Sequence, residues 1–220
     1  MGMWSLSLRN NLLAKAALVL FGFALSPMVH AQAASNKPVI LVVGDSLSAG
    51  YGIAVNSTWV ALLQRRLSSQ GYGHRVVNAS ASGETTGGGK SRLPRALETH
   101  SPDIVILELG GNDALRGLPL QQIRSNLEAM IELSRKTGAK VVLLGMQIPP
   151  NYGLRYAEGF HALYGELAKK YDVALVDFFL EGVALDEALM QEDGIHPSVE
   201  AQARLLENVW PTLQATLKNR

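Results

Sequence analysis

The sequence predicts an α/β fold, doubly wound and flavodoxin-like, with helices on both faces of a mainly parallel five-stranded sheet in the order 2-1-3-4-5. Three observations carry that prediction. Short, mostly β-branched runs alternate with segments whose apolar residues recur at helical spacing, and the connections between them are short. The first run ends in Gly44-Asp45-Ser46, a tight turn that leads toward a helix. Strands joined through helices pair in parallel by right-handed crossovers and have both faces covered. At 220 residues and 47% hydrophobic content, the chain can bury one sizeable core, so a single domain is expected over 34–220.

Residues 1–33 stand apart. Arg9 and Lys15 precede an apolar run at 16–25, followed by Pro27 and small residues around Ala31 and Ala33. This is the layout of a secretory signal peptide cleaved near Ala31 or Ala33. The run is too short for a comfortable membrane span, and no later segment is long and apolar enough to be one. With no cysteine there is neither a lipid-attachment residue nor a disulfide, so a periplasmic or secreted protein without a membrane anchor is expected.

The first strand is expected at 39–43, ending at the Ser46 turn. Thr58 then caps a helix with Val60, Leu62, Leu63 and Leu67 mostly on one face. A second strand at 75–79 leads to a polar, glycine-rich loop and a short helix near 93–98. The third strand, 104–109, is followed by a loop at 110–117. Pro119 then opens a helix that buries Ile123, Leu127, Met130 and Ile131 and ends at Gly138. The fourth strand is 141–146, and the next helix, 152–170, turns Tyr156, Phe160, Leu163 and Leu167 inward. A fifth strand at 173–176 and a final helix at about 198–217 complete the domain.

The formal charge of +1 turns slightly negative once Arg9 and Lys15 leave with the leader. No long basic run or interleaved aromatic stripe is present, so a nucleic-acid partner is not expected. In a doubly wound sheet, ligands gather at the carboxyl ends of the strands. Four separated pieces of sequence fall on that edge: Ser46 after the first strand, Gly83 after the second, Asn112 and Asp113 after the third, and Asp193 with His196 before the last helix.

Their chemistry is complementary. A serine hydroxyl needs a base, which neutral imidazole supplies, so Ser46 and His196 are a candidate nucleophile and base. Asp193, three residues earlier, is placed to fix the imidazole tautomer. The backbone N–H groups of Ser46 and Gly83 and the Asn112 amide are candidate donors to an oxyanion. Each residue alone also has an ordinary reading as a cap, turn or surface residue. Of the five histidines, His74, His100 and His161 fall in polar or helical settings expected to be exposed, and His30 lies in the leader. No metal or other cofactor is required.

Two other chemistries remain open at this level. Gly87-Gly88-Gly89-Lys90-Ser91 ends like a phosphate-binding loop, with Glu108 as a possible magnesium-organising acid, although Glu84 stands where that motif needs glycine. Asp45, Asp113, Asp193 and His196 are a second set, for a metal, though no zinc motif marks them. A non-catalytic lipid- or carbohydrate-binding module is a third alternative.

The blocks Gly44-Asp45-Ser46-Leu47-Ser48, the Gly83 loop, Gly110-Gly111-Asn112-Asp113 and Asp193-Gly194-Ile195-His196-Pro197 occur in order. In this the chain resembles the GDSL, or SGNH, hydrolases over essentially its whole mature length. Further stretches, including 78–80, 108–113, 115–117 and 149–153, look like the branch of periplasmic multifunctional esterases, thioesterases and lysophospholipases of Gram-negative bacteria. The resemblance implies Ser46 as nucleophile, His196 as base and acid, Asp193 as its orienter, and Gly83 with Asn112 as the oxyanion hole. It implies acyl esters, acyl thioesters and lysophospholipids, as small-molecule substrates. Where the family usually reads Ser-Gly-Asp-Thr, this chain has Ser82-Gly83-Glu84-Thr85. Leu115, Leu118, Met146, Ile148, Pro149 and Pro150 follow the third and fourth strands and are candidates for an acyl groove. A monomer is expected.

Overall fold

The computed structural model describes residues 37–218, so the expected leader, 1–33, lies outside them. Five strands, β1 (Val39–Gly44), β2 (Arg75–Asn78), β3 (Ile104–Glu108), β4 (Lys140–Leu144) and β5 (Ala174–Val176), form one parallel sheet. Its order is β2-β1-β3-β4-β5, as the sequence predicts. β1 is central: Ile40 pairs with Val76 on one side and Ile104 on the other. In a parallel sheet the crossover helices cover both faces of such a central strand, which is why Val39 to Val43 are apolar without alternation and every residue of β1 is buried.

Helices α2 (Trp59–Ser69) and α7 (Gln202–Lys218) pack together, while α3 (Thr86–His100), α5 (Leu120–Lys136) and α6 (Leu154–Tyr171) pack in succession as a second layer. Two shorter helices, α1 (Ser46–Ala49) and α4 (Gly111–Leu115), follow β1 and β3 directly. Thr58 caps α2 by accepting from the N–H of Ala61, and Val60, Leu63 and Leu67 are buried while Leu62 is only partly so. Such a cap is worth about 1 kcal/mol. Pro119 lies just before α5, and Gly138 follows it at φ +85°. No helix among the described residues is long and apolar enough to cross a membrane.

Four local expectations need correction. The glycine-rich stretch is helix: α3 begins at Thr86, seven residues before the predicted start, and runs through Gly87, Gly88 and Gly89. Three glycines are intrinsically poor helix formers, but Thr85 accepts the N–H of Gly88, and the Asp113 carboxylate accepts that of Thr86. The segment 110–117 contains α4. The last helix starts at Gln202, because 190–198 is held instead by backbone bonds from Gln191 to His196 and from Ser198 to Leu189. His74 is buried, with its ring against Tyr72.

Candidate active site

The backbone at the end of β1 is crowded. A Cβ at residue 44 would collide with Glu108 Oε2 and with the Ser48 side chain, so glycine is required there. Asp45 then caps α1, its Oδ1 accepting the Leu47 N–H at 3.0 Å, and Ser46 is the first residue of that helix. Ser46 is 8% exposed, and its Oγ lies 2.9 Å from His196 Nε2. His196 Nδ1 lies 2.6 Å from Asp193 Oδ2. The carboxylate can only accept, so Nδ1 carries the proton and Nε2 is the acceptor facing the serine hydroxyl.

Asp193 does not reach His196 by helical spacing. Its Oδ1 accepts the N–H groups of Ile195 and His196, both at 2.9 Å, in a tight turn that fixes the carboxylate against the ring. The His196 backbone N–H, the His196 ring and the Ile195 N–H together lower the Asp193 pKa to about 2, so it stays ionised. The loop is braced from outside. Gln191 donates from Nε2 to the carbonyls of Tyr51 and Pro197, and the Tyr51 ring lies 4.4 Å from the His196 ring. Neither residue is marked as functional by the sequence, although Tyr51 lies in the same stretch as Ser46.

Asn112 lies in α4, where its Nδ2 donates to Asp45 Oδ2 at 3.1 Å and to the Glu84 carbonyl at 3.0 Å. It is therefore tied to the residue preceding Ser46 and to the one following Gly83. Gly83 has φ +76°, a conformation that favours glycine, and its carbonyl accepts from Arg116. The longer acid at 84 turns away: Glu84 bonds the Thr85 N–H and pairs with Arg92 Nε at 2.6 Å. It does so over Gly88, where a Cβ would strike Glu84 Oε1. The phosphate-loop reading fails here, since the carboxylates of Asp113 and Glu84 occupy the backbone N–H groups at the start of α3.

The acyl-groove candidates are dispersed in burial. Met146 is buried, Leu118 and Ile148 are partly buried against the core, Leu115 is half-buried, and Pro149 and Pro150 are exposed. A separate cleft lies at the opposite edge of the sheet, lined by residues including Pro94, Leu97, Leu133 and Thr137, and contains none of the site residues. Asp45, Asp113 and Asp193 are each committed to hydrogen-bond partners of their own.

Beneath Ser46 lies a buried acid, Glu108, which the sequence offers only as a magnesium-organising residue. Glu108 Oε2 accepts from Ser48 Oγ at 2.7 Å and from the Asp45 N–H at 3.3 Å, and Trp59 Nε1 donates to Ser48 Oγ at 3.2 Å. Burial, and then the neighbouring Asp45 charge, push the Glu108 pKa well above its ordinary value; burial also raises Asp45 to about 6. The folded state therefore keeps a proton on Glu108 that the unfolded chain releases above about pH 4.3. Stability from this group is present below that pH and is lost as pH rises toward the folded pKa; Asp45 acts in the same sense between 3.8 and about 6. Glu108→Gln, neutral at every pH, removes the Glu108 share. Its melting temperature relative to wild type is expected to rise as the pH is raised above about 4.5; parallel melting curves would contradict this assignment.

A serine whose hydroxyl faces an imidazole, itself anchored by a carboxylate at the carboxyl edge of a doubly wound sheet, has the arrangement of a hydrolase site. The comparisons with known proteins agree. The model of the GDSL-like lipase/acylhydrolase family matches residues 42–204, and the chain belongs to that family. It is 53% identical over 201 residues to the esterase TesA of Pseudomonas aeruginosa, covering 91% of this chain and 99% of that one. It is 44% identical over 169 residues to the thioesterase 1/protease 1/lysophospholipase L1 of Escherichia coli, covering 77% and 80%. Among solved structures, the esterase EstA from Pseudoalteromonas sp., inhibited by monoethylphosphonate, superposes with a TM-score of 0.79 at 37% identity, over 82% of this chain and 99% of that one.

Proposed function

We propose that this protein is a carboxylic ester hydrolase that works through an acyl-enzyme on Ser46. The observation that carries the reading is the continuous hydrogen-bond path from Ser46 Oγ to His196 Nε2, at 2.9 Å, and from His196 Nδ1 to Asp193, at 2.6 Å. His196 takes the hydroxyl proton as Ser46 attacks the acyl carbonyl. The tetrahedral oxyanion is met by the backbone N–H groups of Ser46 and Gly83 and by the Asn112 amide, one of whose N–H groups turns to it from Asp45 Oδ2 or the Glu84 carbonyl. Collapse expels the alcohol or thiol, protonated by the imidazolium; water activated by His196 then releases the acid and restores Ser46. Asp193 keeps the imidazole in the working tautomer and stabilises its charged form.

The names of the relatives support acyl esters, acyl thioesters and lysophospholipids as the substrate range. Leu115, Leu118, Ile148, Pro149 and Pro150 form the acyl-contacting side of the site. The leader at 1–33 directs the chain to the periplasm, where it works as a monomer without a cofactor. The test is hydrolysis of a series of p-nitrophenyl esters and of an acyl-CoA by the purified protein, with and without EDTA. Turnover of both classes, unchanged by EDTA, is expected; binding without turnover would favour a non-catalytic module, and loss in EDTA a metal mechanism.

A further inference from the structure

We infer that Thr86 and Asp113 form a clamp that positions the Asn112 amide, with Asn126 and Lys90 backing it. The inference rests on the reading of Asn112 as an oxyanion donor. Asp113 Oδ2 accepts the Thr86 backbone N–H at 2.8 Å, and its Oδ1 accepts the Thr86 hydroxyl at 2.6 Å. Both residues are fully buried. The Thr86 hydroxyl in turn accepts from Asn126 Nδ2 at 3.1 Å, and Asn126 Oδ1 accepts from Lys90 Nζ at 2.6 Å.

The polarity of this chain is fixed at both ends. An ammonium only donates and a carboxylate only accepts, so every bond from Lys90 through Asn126 and Thr86 to Asp113 has one allowed direction. The hydroxyl has no alternative rotor that satisfies both neighbours. The Gly87 to Lys90 segment thus has a use unrelated to phosphate. It brings the first turn of α3 close to the end of β3, where a Cβ on Gly89 would strike Leu109.

Asn112 needs such support because α4 is a five-residue helix, and its N-cap, Gly110, offers no side-chain cap. So short a helix has almost no stability of its own. The neighbouring residue, Asp113, ties it to the first turn of the fifteen-residue α3, while Asn112 itself bonds the Glu84 carbonyl. Thr86 and Asp113 touch no reacting atom; they are positioning residues. A displacement of about 1 Å at a catalytic group costs up to roughly a hundredfold in rate.

The test is kcat and KM for a p-nitrophenyl ester with Asn112→Ala, Thr86→Val, Thr86→Ser and the double variant Thr86→Val/Asn112→Ala, each checked for folding by its melting temperature. Asn112→Ala is expected to lower kcat by about a hundredfold. Thr86→Val is expected to lower kcat about tenfold with KM nearly unchanged, and Thr86→Ser to restore it. In the Asn112→Ala background, Thr86→Val is expected to cost less than about twofold, since the group it positions is gone. If Thr86→Val does not fold, Asn126→Ala takes its place in the same cycle, with a drop of about threefold expected. Asn112→Ala within tenfold of wild type would overturn the oxyanion reading. A large Asn112→Ala effect, with the second substitution silent in the wild-type background or costing the same in both, would overturn the clamp alone.

Discussion

Ser46→Ala is expected to lower kcat for every ester substrate by about five to six orders of magnitude, leaving only the rate that binding and oxyanion donors supply without a nucleophile. The size follows from chemistry: no neighbouring group replaces the hydroxyl, and the acyl-enzyme route closes. The Ser46 side chain makes a single hydrogen bond in the site, to His196. Stability should therefore change by no more than about 1 kcal/mol. Active-site titration separates a true loss from contamination by another esterase. A variant retaining activity within a hundredfold of wild type would mean that another group attacks the carbonyl.

Asp193→Asn is the second large effect, and its direction follows from the donor pattern. The asparagine oxygen can still accept the N–H groups of Ile195 and His196, so the turn survives. Its amide nitrogen then faces His196 Nδ1, which must become the acceptor. The proton moves to Nε2, and the imidazole can no longer take the Ser46 proton. Such a tautomer inversion costs roughly a hundred- to ten-thousandfold in kcat, with KM little changed. The Asp193 side chain is 38% exposed, so solvent screens the carboxylate and places the expected loss toward the lower end of that range. Equal kcat in wild type and variant would mean that the turn alone orients His196. The charge itself persists to low pH: with a pKa of about 2, below the ordinary 3.8, Asp193 contributes stability that is lost only as pH falls through that window.

What the sequence displays of this architecture depends on how local the cause is. The sheet order was legible because β1, β3 and β4 are covered on both faces and read as unbroken apolar runs. Ser46, Asn112 and His196 were legible because a parallel sheet delivers the residues after each strand to one edge. The start of α3 was not, since helix formation through Gly87, Gly88 and Gly89 depends on a carboxylate from Asp113, 27 residues away. The Asp193 turn was hidden for a similar reason: three-residue spacing suits a helix as well as the side-chain-capped turn that forms. Glu108 ends an apolar strand, and beside Gly87 to Ser91 it reads as a magnesium-organising acid. Only the packing of Trp59 and Ser48 around it shows a buried acid beneath Ser46. Acyl specificity was the least legible part, because Leu118 and Ile148 pack partly against the core while Pro149 and Pro150 face outward.

The central claim is that Ser46 is a nucleophile activated by His196. Its most direct test is to react the purified protein with a fluorophosphonate, map the adduct by peptide mass spectrometry, and follow esterase activity in the same sample. The account predicts one adduct per chain, on Ser46, forming in step with loss of activity and absent from Ser46→Ala. A folded, active protein that carries no adduct, or carries it on another residue while Ser46 stays free, would contradict it.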